Sequence, residues 1–274
     1  MNAPHTLATL CLTLIASSAC ALDDAEHDLG ESDATSSSDG ETHDEPPGYT
    51  VVDPRAQYLG RSSAEWGAAW WAWALALPGT GHPLLGGTAD CALGQSGPVL
   101  FIGSLAGASL RSDRGGALRR CTVSSDTAVL VPIVNVTRDN VGAAPDDHAT
   151  DAQLAAAARS YVDDMDIVAL VVDGDVLSAA ALAHHRAGAH RGRYALPDAD
   201  SVLERFGVAV TERTVDPSFG DGIYVMLELE PGLHTLDIAA LDVRDPADDL
   251  DDLVIEVSYE LDVRDGIDES HPHP

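Results

Sequence analysis

Lysine is missing from this chain of 274 residues, so all 15 of its basic side chains are arginines. They face 45 acidic residues, which leaves a formal net charge of −30 at pH 7. A charge of this sign and size repels phosphate, which argues against nucleic acids and anionic membrane surfaces as partners. Hydrophobic residues still make up 45% of the chain, an ordinary share that allows a folded core. The acidity fits either a GC-rich genome or adaptation to salt.

A hydrophobic run long enough to span a bilayer is also missing. The apolar segment over residues 7–19 is too short for that and is followed at once by polar sequence. Such a segment is typical of a secretory signal peptide, so we expect an exported protein, on the outer face of a bacterial membrane, in the periplasm or outside the cell. The Ser-Ser-Ala before Cys20 resembles a lipobox, which predicts a signal peptide over residues 1–20 and a lipid on Cys20. Ordinary cleavage after Ala21 is the alternative.

Residues 21–48 contain almost nothing that could be buried. Ten of them are acidic and none is arginine, so charge repulsion and low hydrophobicity predict a disordered acidic linker. The linker either holds a folded domain away from a membrane or is an acidic tail without a task. Residues 49–274 are then expected to form a single globular domain.

All four tryptophans lie in residues 62–78, which begin with a capping box at Ser62 and Glu65 and end at a Pro-Gly pair. At 100° per residue, three indoles and a leucine share one narrow stripe, which predicts a helix that packs on the core. These residues are Trp66, Trp70, Trp73 and Leu77. Trp71 points away from the stripe. It either packs into a second layer or stands exposed, where an indole can stack on a sugar or another apolar ligand.

Most of the remaining domain consists of short apolar strands separated by turn residues. Hairpins are predicted at three turns: the Ser-Ser-Asp turn after Cys121, Asp173-Gly174 and Pro231-Gly232. Residues 253–263 alternate as a half-exposed antiparallel strand, and a second helix is expected over residues 150–165. No βαβ alternation is present. We therefore predict a mainly β fold: an antiparallel β-sandwich, Ig-like or jelly-roll-like, with the tryptophan-rich helix and one inserted helix.

Only four cysteines are present, and removal of the signal peptide takes Cys11 out of the exported protein. Cys20 is then lipidated or cleaved off, which leaves Cys91 and Cys121. Two remaining cysteines in an exported protein predict a disulfide. It would close a loop of about 30 residues and stabilise the fold by about 3–4 kcal/mol in the chain-entropy model. Neither cysteine belongs to a CxxC motif or adjoins a histidine, so a catalytic thiol or a metal site has no support.

Three segments together resemble a known group of sequences: SAEWGAAWWAWALALP, CALGQSGPVLFIG and CTVSSDTAVLVPIVNV. The group consists of uncharacterised secreted bacterial proteins with an EWxxxWWxW helix followed by CxxGQSGPV and CTV…PIxN segments. GIYVMLELEPGLHTLDI is also similar, so the resemblance covers most of residues 58–263. It implies export, the disulfide and a single domain. It implies no activity, because none is established for the group.

The only dense basic patch is HHRAGAHRGR at residues 184–193. Its arginines, Arg186 and Arg191 among them, are suited to the anionic group of a ligand, and His190 lies between these two. A metal site is only weakly favoured, because no HExxH or comparable ligand spacing occurs. The alternative is a solvated loop whose arginines neutralise the acidic surface. We predict Trp71, Arg186, His190 and Arg191 as ligand-binding residues.

Two Asp-rich loops, residues 139–151 and 242–252, offer carboxylates to calcium, which takes several oxygen ligands. Neither has the spaced DxDxDG pattern, so calcium is weakly favoured and no cofactor or metal is expected. Residues 94–98, GQSGP, resemble a nucleophile elbow, but Pro98 stands where a glycine is needed and the motif precedes a strand. A tight turn is the better interpretation, and no catalytic residue is predicted.

In the absence of a complete catalytic motif, the leading hypothesis is a non-catalytic domain that binds a ligand or partner. The ligand is unknown. A carbohydrate or another envelope component suits an exported protein, nucleic acid does not, and the membrane is reached only through the N-terminal lipid. One alternative is a secreted hydrolase whose Asp, Glu and His residues meet only in the fold. The other is a structural protein of the bacterial envelope.

Overall fold

The computed structural model describes residues 48–85, 91–103, 117–165, 167–242 and 253–266. The signal peptide with Cys20, almost the whole acidic linker and most of the second Asp-rich loop lie outside these residues. The statements about them therefore remain predictions.

Ten strands and four α-helices form within the described residues. The strands are β1 (Tyr49–Val51), β2 (Val99–Phe101), β3 (Ala117–Ser124), β4 (Ala128–Arg138), β5 (Ile167–Val172), β6 (Asp175–Leu177), β7 (Arg186–Ala195), β8 (Thr214–Leu229), β9 (Gly232–Asp242) and β10 (Leu253–Arg264). The helices are α1 (Ser63–Ala76), α2 (Asp151–Asp163), α3 (Ala179–His184) and α4 (Val202–Arg205). The two long helices confirm the expected ones, and α3 and α4 are short additions that the sequence did not predict.

The strands form two mixed sheets, and neither closes into a barrel within the described residues. In sheet I the order is β1-β8-β4-β2, with β7 paired to the other end of the long strand β8. In sheet II the order is β3-β10-β9-β5-β6. Most pairs are antiparallel as predicted, but β2 runs parallel to β4 and β3 runs parallel to β10. The fold is therefore mainly β, and the purely antiparallel expectation was wrong at two strand pairs.

Two of the three predicted hairpins were wrong in the same way. The turn after Cys121 leads from β3 in sheet II to β4 in sheet I, and Pro231-Gly232 leads from β8 in sheet I to β9 in sheet II. Turn residues only require the chain to reverse, so they do not distinguish a hairpin from a crossing between sheets. The third hairpin, β5–β6 at Asp173-Gly174, is confirmed.

Sheet I is covered on both faces because alternate residues of β8 point in opposite directions. Val225 and Leu227 belong to a hydrophobic core that contains residues of both sheets. Tyr224 and Met226 belong to a second core on the opposite face, together with the tryptophans of α1. This second face of sheet I, with α1 lying across it, positions the candidate site.

Helix α1 begins with the predicted capping box at Ser62 and Glu65. Trp66, Trp70 and Trp73 are buried as expected. The indole N–H of Trp70 donates to the carbonyl of Ile102 at 2.8 Å, so the helix is fixed to the chain next to β2 by a hydrogen bond as well as by apolar packing.

The predicted disulfide between Cys91 and Cys121 is confirmed, with the two Cα atoms 5.7 Å apart. Cys121 lies in β3, so the bond attaches the segment before β2 to sheet II. Beside it, the Gln95 side chain binds both backbone groups of Phe101, at 3.1 Å to the amide and 2.7 Å to the carbonyl. The hydrogen-bonded turn lies just before this, where the Gln95 amide donates to the carbonyl of Ala92 at 3.1 Å, and GQSGP leads from that turn into β2.

Candidate functional site

The predicted basic patch is largely a strand, β7, where the sequence indicated only a polar stretch. It pairs antiparallel with β8 and places His190 opposite Gly220. The register shifts twice, between Ala187 and His190 and between Gly192 and Tyr194. Helix α1 packs mainly on β7. The predicted ligand-binding residues therefore come from two neighbouring elements, but these elements direct them to three different surroundings.

Arg186 is engaged inside the protein. Its guanidinium donates two hydrogen bonds to the buried carboxylate of Asp221, at 2.9 and 3.2 Å, and one to Asp163 of α2. A further donor reaches the carbonyl of Arg159 at 3.2 Å. The hydrogen bonds to Asp221 raise the pKa of Arg186. This network connects α2 to β7 and β8, so the guanidinium of Arg186 is occupied by contacts within the fold.

Arg191 lies on an open groove of about 480 Å³ between α1 and β7. Its lining is small and basic: Ala68, Ala69, Ala72, Arg191, Gly192, Arg193 and Asp216. Arg191 donates to Asp216 at 2.9 Å, and both side chains are largely exposed, at 62% and 45%. Arg193 is exposed and has no ion pair within the described part of the chain. The groove thus carries one more positive than negative charge in a protein of net charge −30.

A buried polar cluster around Tyr224 consists of Trp71, Asn135, His190 and Tyr224. The rings of His190 and Tyr224 are 6.1 Å apart, edge to face. Asn135 and Trp71 both lie near the Tyr224 hydroxyl and act on its ionisation. The structure therefore brings together two of the four predicted residues and adds two that the sequence did not suggest.

The polar groups of this cluster are buried and imperfectly paired. Five of its atoms are shielded from solvent and make no hydrogen bond of good geometry with the described residues. They are Trp71 Nε1, Asn135 Nδ2, His190 Nδ1, His190 Nε2 and Tyr224 Oη. Each buried donor or acceptor without a partner costs about 1–3 kcal/mol. Contacts of Asn135 and Trp71 with the Tyr224 hydroxyl, and of His190 with the carbonyls of Ala187 and Gly188, reduce this cost.

Three glycines make room for these side chains. A Cβ at Gly220 would lie 2.6 Å from His190 Nε2, and one at Gly222 would lie 2.7 Å from the Cβ of Asn135. On α1, a Cβ at Gly67 would lie 2.7 Å from the ring of Tyr224. Any other residue at these positions would displace the cluster. Glycines inside a strand often mark such a close approach, so the GDGIY segment of β8 was the available sequence signal for Tyr224.

The electrostatic surroundings keep the polar cluster uncharged near neutral pH. Burial lowers the pKa of His190, although the carbonyls of Ala187 and Gly188 partly oppose this. Burial also raises the pKa of Tyr224 well above its ordinary value. Neutral imidazole and phenol each combine a donor with an acceptor. The cluster is therefore a neutral polar group of side chains in the interior, and it differs in this from the charged groove.

The remaining candidate residues do not form a site. Within the described residues, no three His, Cys, Asp or Glu side chains are placed to hold a metal ion. The carboxylate of Asp139, in the first Asp-rich loop, accepts from the Tyr194 hydroxyl and from the amide of Val141. Burial raises the pKa of Asp139. Calcium binding at the second Asp-rich loop remains a prediction, since most of that loop lies outside the described residues.

Comparison with known proteins identifies no matching family model, no similar curated protein and no similar solved structure. Among the described helices, none has both the length and the apolar character that a membrane span requires.

Proposed function

We propose that this chain is an exported bacterial protein, anchored by a lipid on Cys20, whose domain binds an envelope or extracellular ligand without acting on it chemically. Membership of the secreted group with the EWxxxWWxW helix belongs to this proposal. So does the finer description of the fold as an Ig-like or jelly-roll-like sandwich. The groove between α1 and β7 is the binding surface.

The observation that carries the proposal is the composition of the groove. Its volume of about 480 Å³ is in the range of small-ligand sites. Three alanines on α1 and Gly192 on β7 keep it open, and two arginines supply positive charge where most of the surface is acidic. An exposed arginine pair of this kind suits an anionic group of a ligand.

The hydrolase alternative has less support. His190 adjoins the groove-lining Arg191 in sequence, but both of its ring nitrogens are shielded and have no hydrogen-bonded carboxylate within the described residues. A general base needs to reach the proton that it abstracts and a group that orients it. His190 meets neither requirement, so catalysis at this position has no support.

The proposal is tested by binding of the exported full chain to an array of glycans and envelope polymers. Ala69 lines the groove, so Ala69→Glu both fills it and adds a negative charge. Ala76 is exposed on the same helix outside the groove and provides the matched control, Ala76→Glu. We expect native protein and the control to bind the same ligands and Ala69→Glu to lose them. Absence of binding, or equal binding by all three proteins, would contradict the proposal.

A further inference from the structure

We propose that the groove between α1 and β7 binds an aliphatic carboxylate, and that Asp216 makes it selective by holding the place of the ligand's carboxylate in the free protein. The inference rests on the proposed function and names both the class of ligand and a residue that determines specificity. Three properties of the lining carry it: an apolar wall, a pair of arginines and a single acidic side chain.

One wall of the groove is apolar. It consists of three partly exposed alanines of α1, Ala68, Ala69 and Ala72. On the opposite side, Gly192 lies between the two arginines, and a Cβ there would be 3.6 Å from that of Ala68, so β7 closely approaches the helix. The alanine methyl groups neither donate nor accept hydrogen bonds, whereas covering them with hydrocarbon is favourable. The part of the ligand that lies on α1 is therefore aliphatic.

The charge of the groove fits one anionic group. Its lining contains two arginines, Arg191 and Arg193, against one aspartate, Asp216, which leaves one positive charge. A single carboxylate on the ligand neutralises this charge. The protein as a whole has a net charge of −30, so a second negative group on the ligand would meet repulsion instead of a further cation. A monocarboxylate therefore suits the groove better than a dicarboxylate.

Asp216 engages only one of the two arginines. It accepts from Arg191 at 2.9 Å, while Arg193 has no carboxylate partner among the described residues. Exposed ion pairs of this kind contribute at most about 1 kcal/mol, so this one opens at little cost. A ligand carboxylate has two oxygens and can accept from both arginines. It can therefore replace Asp216, whereas a neutral ligand leaves the ion pair intact.

The class of ligand is tested by NMR titration of the exported full chain with hexanoate, hexanol, acetate and adipate. We expect hexanoate to bind, and hexanol, which lacks the charge, to bind about fivefold more weakly. Acetate keeps the charge but loses most of the hydrocarbon, so it should bind about tenfold more weakly. Adipate adds a second carboxylate and should bind no more tightly than hexanoate. No binding of hexanoate, affinity for hexanol or acetate equal to that for hexanoate, or tighter binding of adipate overturns the inference.

The role of Asp216 is tested by Asp216→Asn, which removes the charge and keeps the shape of the side chain. We expect this variant to bind hexanoate about fivefold more tightly, because the competing carboxylate is lost. Asp262→Asn is the matched control, since Asp262 forms an ion pair with Arg264 on sheet II that is similarly exposed, at 41% and 61%. It removes the same charge from the protein and should leave the affinity unchanged. Equal affinity of the two variants overturns the inference.

The second arginine is tested by Arg193→Ala. Because this change removes one of the two donors for the ligand's carboxylate, we expect it to weaken hexanoate binding about fivefold. Arg120→Ala, the same change at an exposed arginine of sheet II, should leave the affinity as it is. Unchanged affinity in Arg193→Ala, with a Tm equal to that of the native protein, overturns the inference.

The two proposals fail in different ways. If an envelope component of the array binds and Ala69→Glu abolishes this binding, but hexanoate does not bind, the groove is the binding surface and the carboxylate inference is wrong. The same holds if hexanoate binds to Asp216→Asn and Asp262→Asn equally. If no component of the array binds, the proposed function itself fails.

Discussion

The histidines of this protein differ in what their ring nitrogens contact. His234 has Nδ1 2.7 Å from a carboxylate oxygen of Asp173 and Nε2 2.8 Å from the carbonyl of Glu230, so its ring connects the turn after β5 to the turn after β8. His82 is equally well paired. The ring nitrogens of His190 are shielded from solvent and lie near the backbone carbonyls of Ala187 and Gly188. The first two histidines therefore connect separate segments of the fold, whereas His190 contacts backbone within its own strand.

A substitution at His82 measures how much such hydrogen bonds contribute to the free energy of unfolding. Its Nε2 donates to the carbonyl of Ala74 at 2.8 Å, and its Nδ1 accepts from the amide of Leu84 at 3.1 Å. The variant His82→Phe keeps the ring but leaves both buried backbone groups unsatisfied, at about 1–3 kcal/mol for each. We expect urea unfolding at neutral pH to show a decrease of that order in the free energy of unfolding. His148→Phe, the same change at an exposed site, should have little effect; an equal loss in both variants would contradict the explanation.

Residues of the candidate site could be predicted from the sequence only where the pattern that marks them lies within a single helix or strand. Trp71 stood out because helical periodicity separates it from the other three tryptophans, and His190 stood out within a basic patch. Tyr224 and Asn135 could not be found in this way, since each looks like an ordinary strand residue. They become part of a site only because β8 pairs with β4 and α1 covers both.

At the scale of helices and strands, features set by neighbouring residues were predicted correctly, whereas the pairing of strands was not. Both capping boxes form as predicted, at Ser62 and Thr150, because every interacting atom lies within four residues. Strand β10 alternates between buried and exposed residues as expected. The two wrong hairpins have correct turns, but the partner of each strand is decided by the shared core of the two sheets. That information is distributed over residues far apart in the chain.

Strand β8 offers a direct test of how the sheet accommodates the cluster. A Cβ at Gly222 would lie 2.8 Å from the carbonyl oxygen of Val134 as well as against Asn135, and the backbone oxygen cannot move aside. We expect Gly222→Ala to destabilise the protein by about 1–3 kcal/mol, the usual cost of overpacking. Gly188→Ala is the control, because a Cβ there meets nothing within 4 Å. Chemical denaturation compares the two, and equal stability would show that β8 adjusts without cost.

Over the whole molecule, burial makes three histidines respond to pH in the same direction. His82, His185 and His190 all have pKa values lowered from 6.5, in each case chiefly by burial. Between that value and their lower folded pKa values, the unfolded chain binds more protons than the native one. Acidification below about pH 6.5 therefore favours unfolding, and the loss is complete once the pH is below the folded pKa values. Asp139, whose pKa is raised, acts in the opposite direction at lower pH.

We accordingly expect the Tm to fall as the pH is lowered from about 8 to about 5, since most carboxylates stay ionised over this range while the histidines titrate. Differential scanning calorimetry at constant ionic strength measures this, because salt alters the repulsion within a chain of net charge −30. His190→Phe should reduce the slope by removing one of the three buried groups, and the exposed control His148→Phe should leave it unchanged. A Tm that stays constant or rises on acidification would show that relief of charge repulsion outweighs protonation of the buried histidines. The sign of the slope therefore decides which of the two effects dominates the stability of this acidic protein.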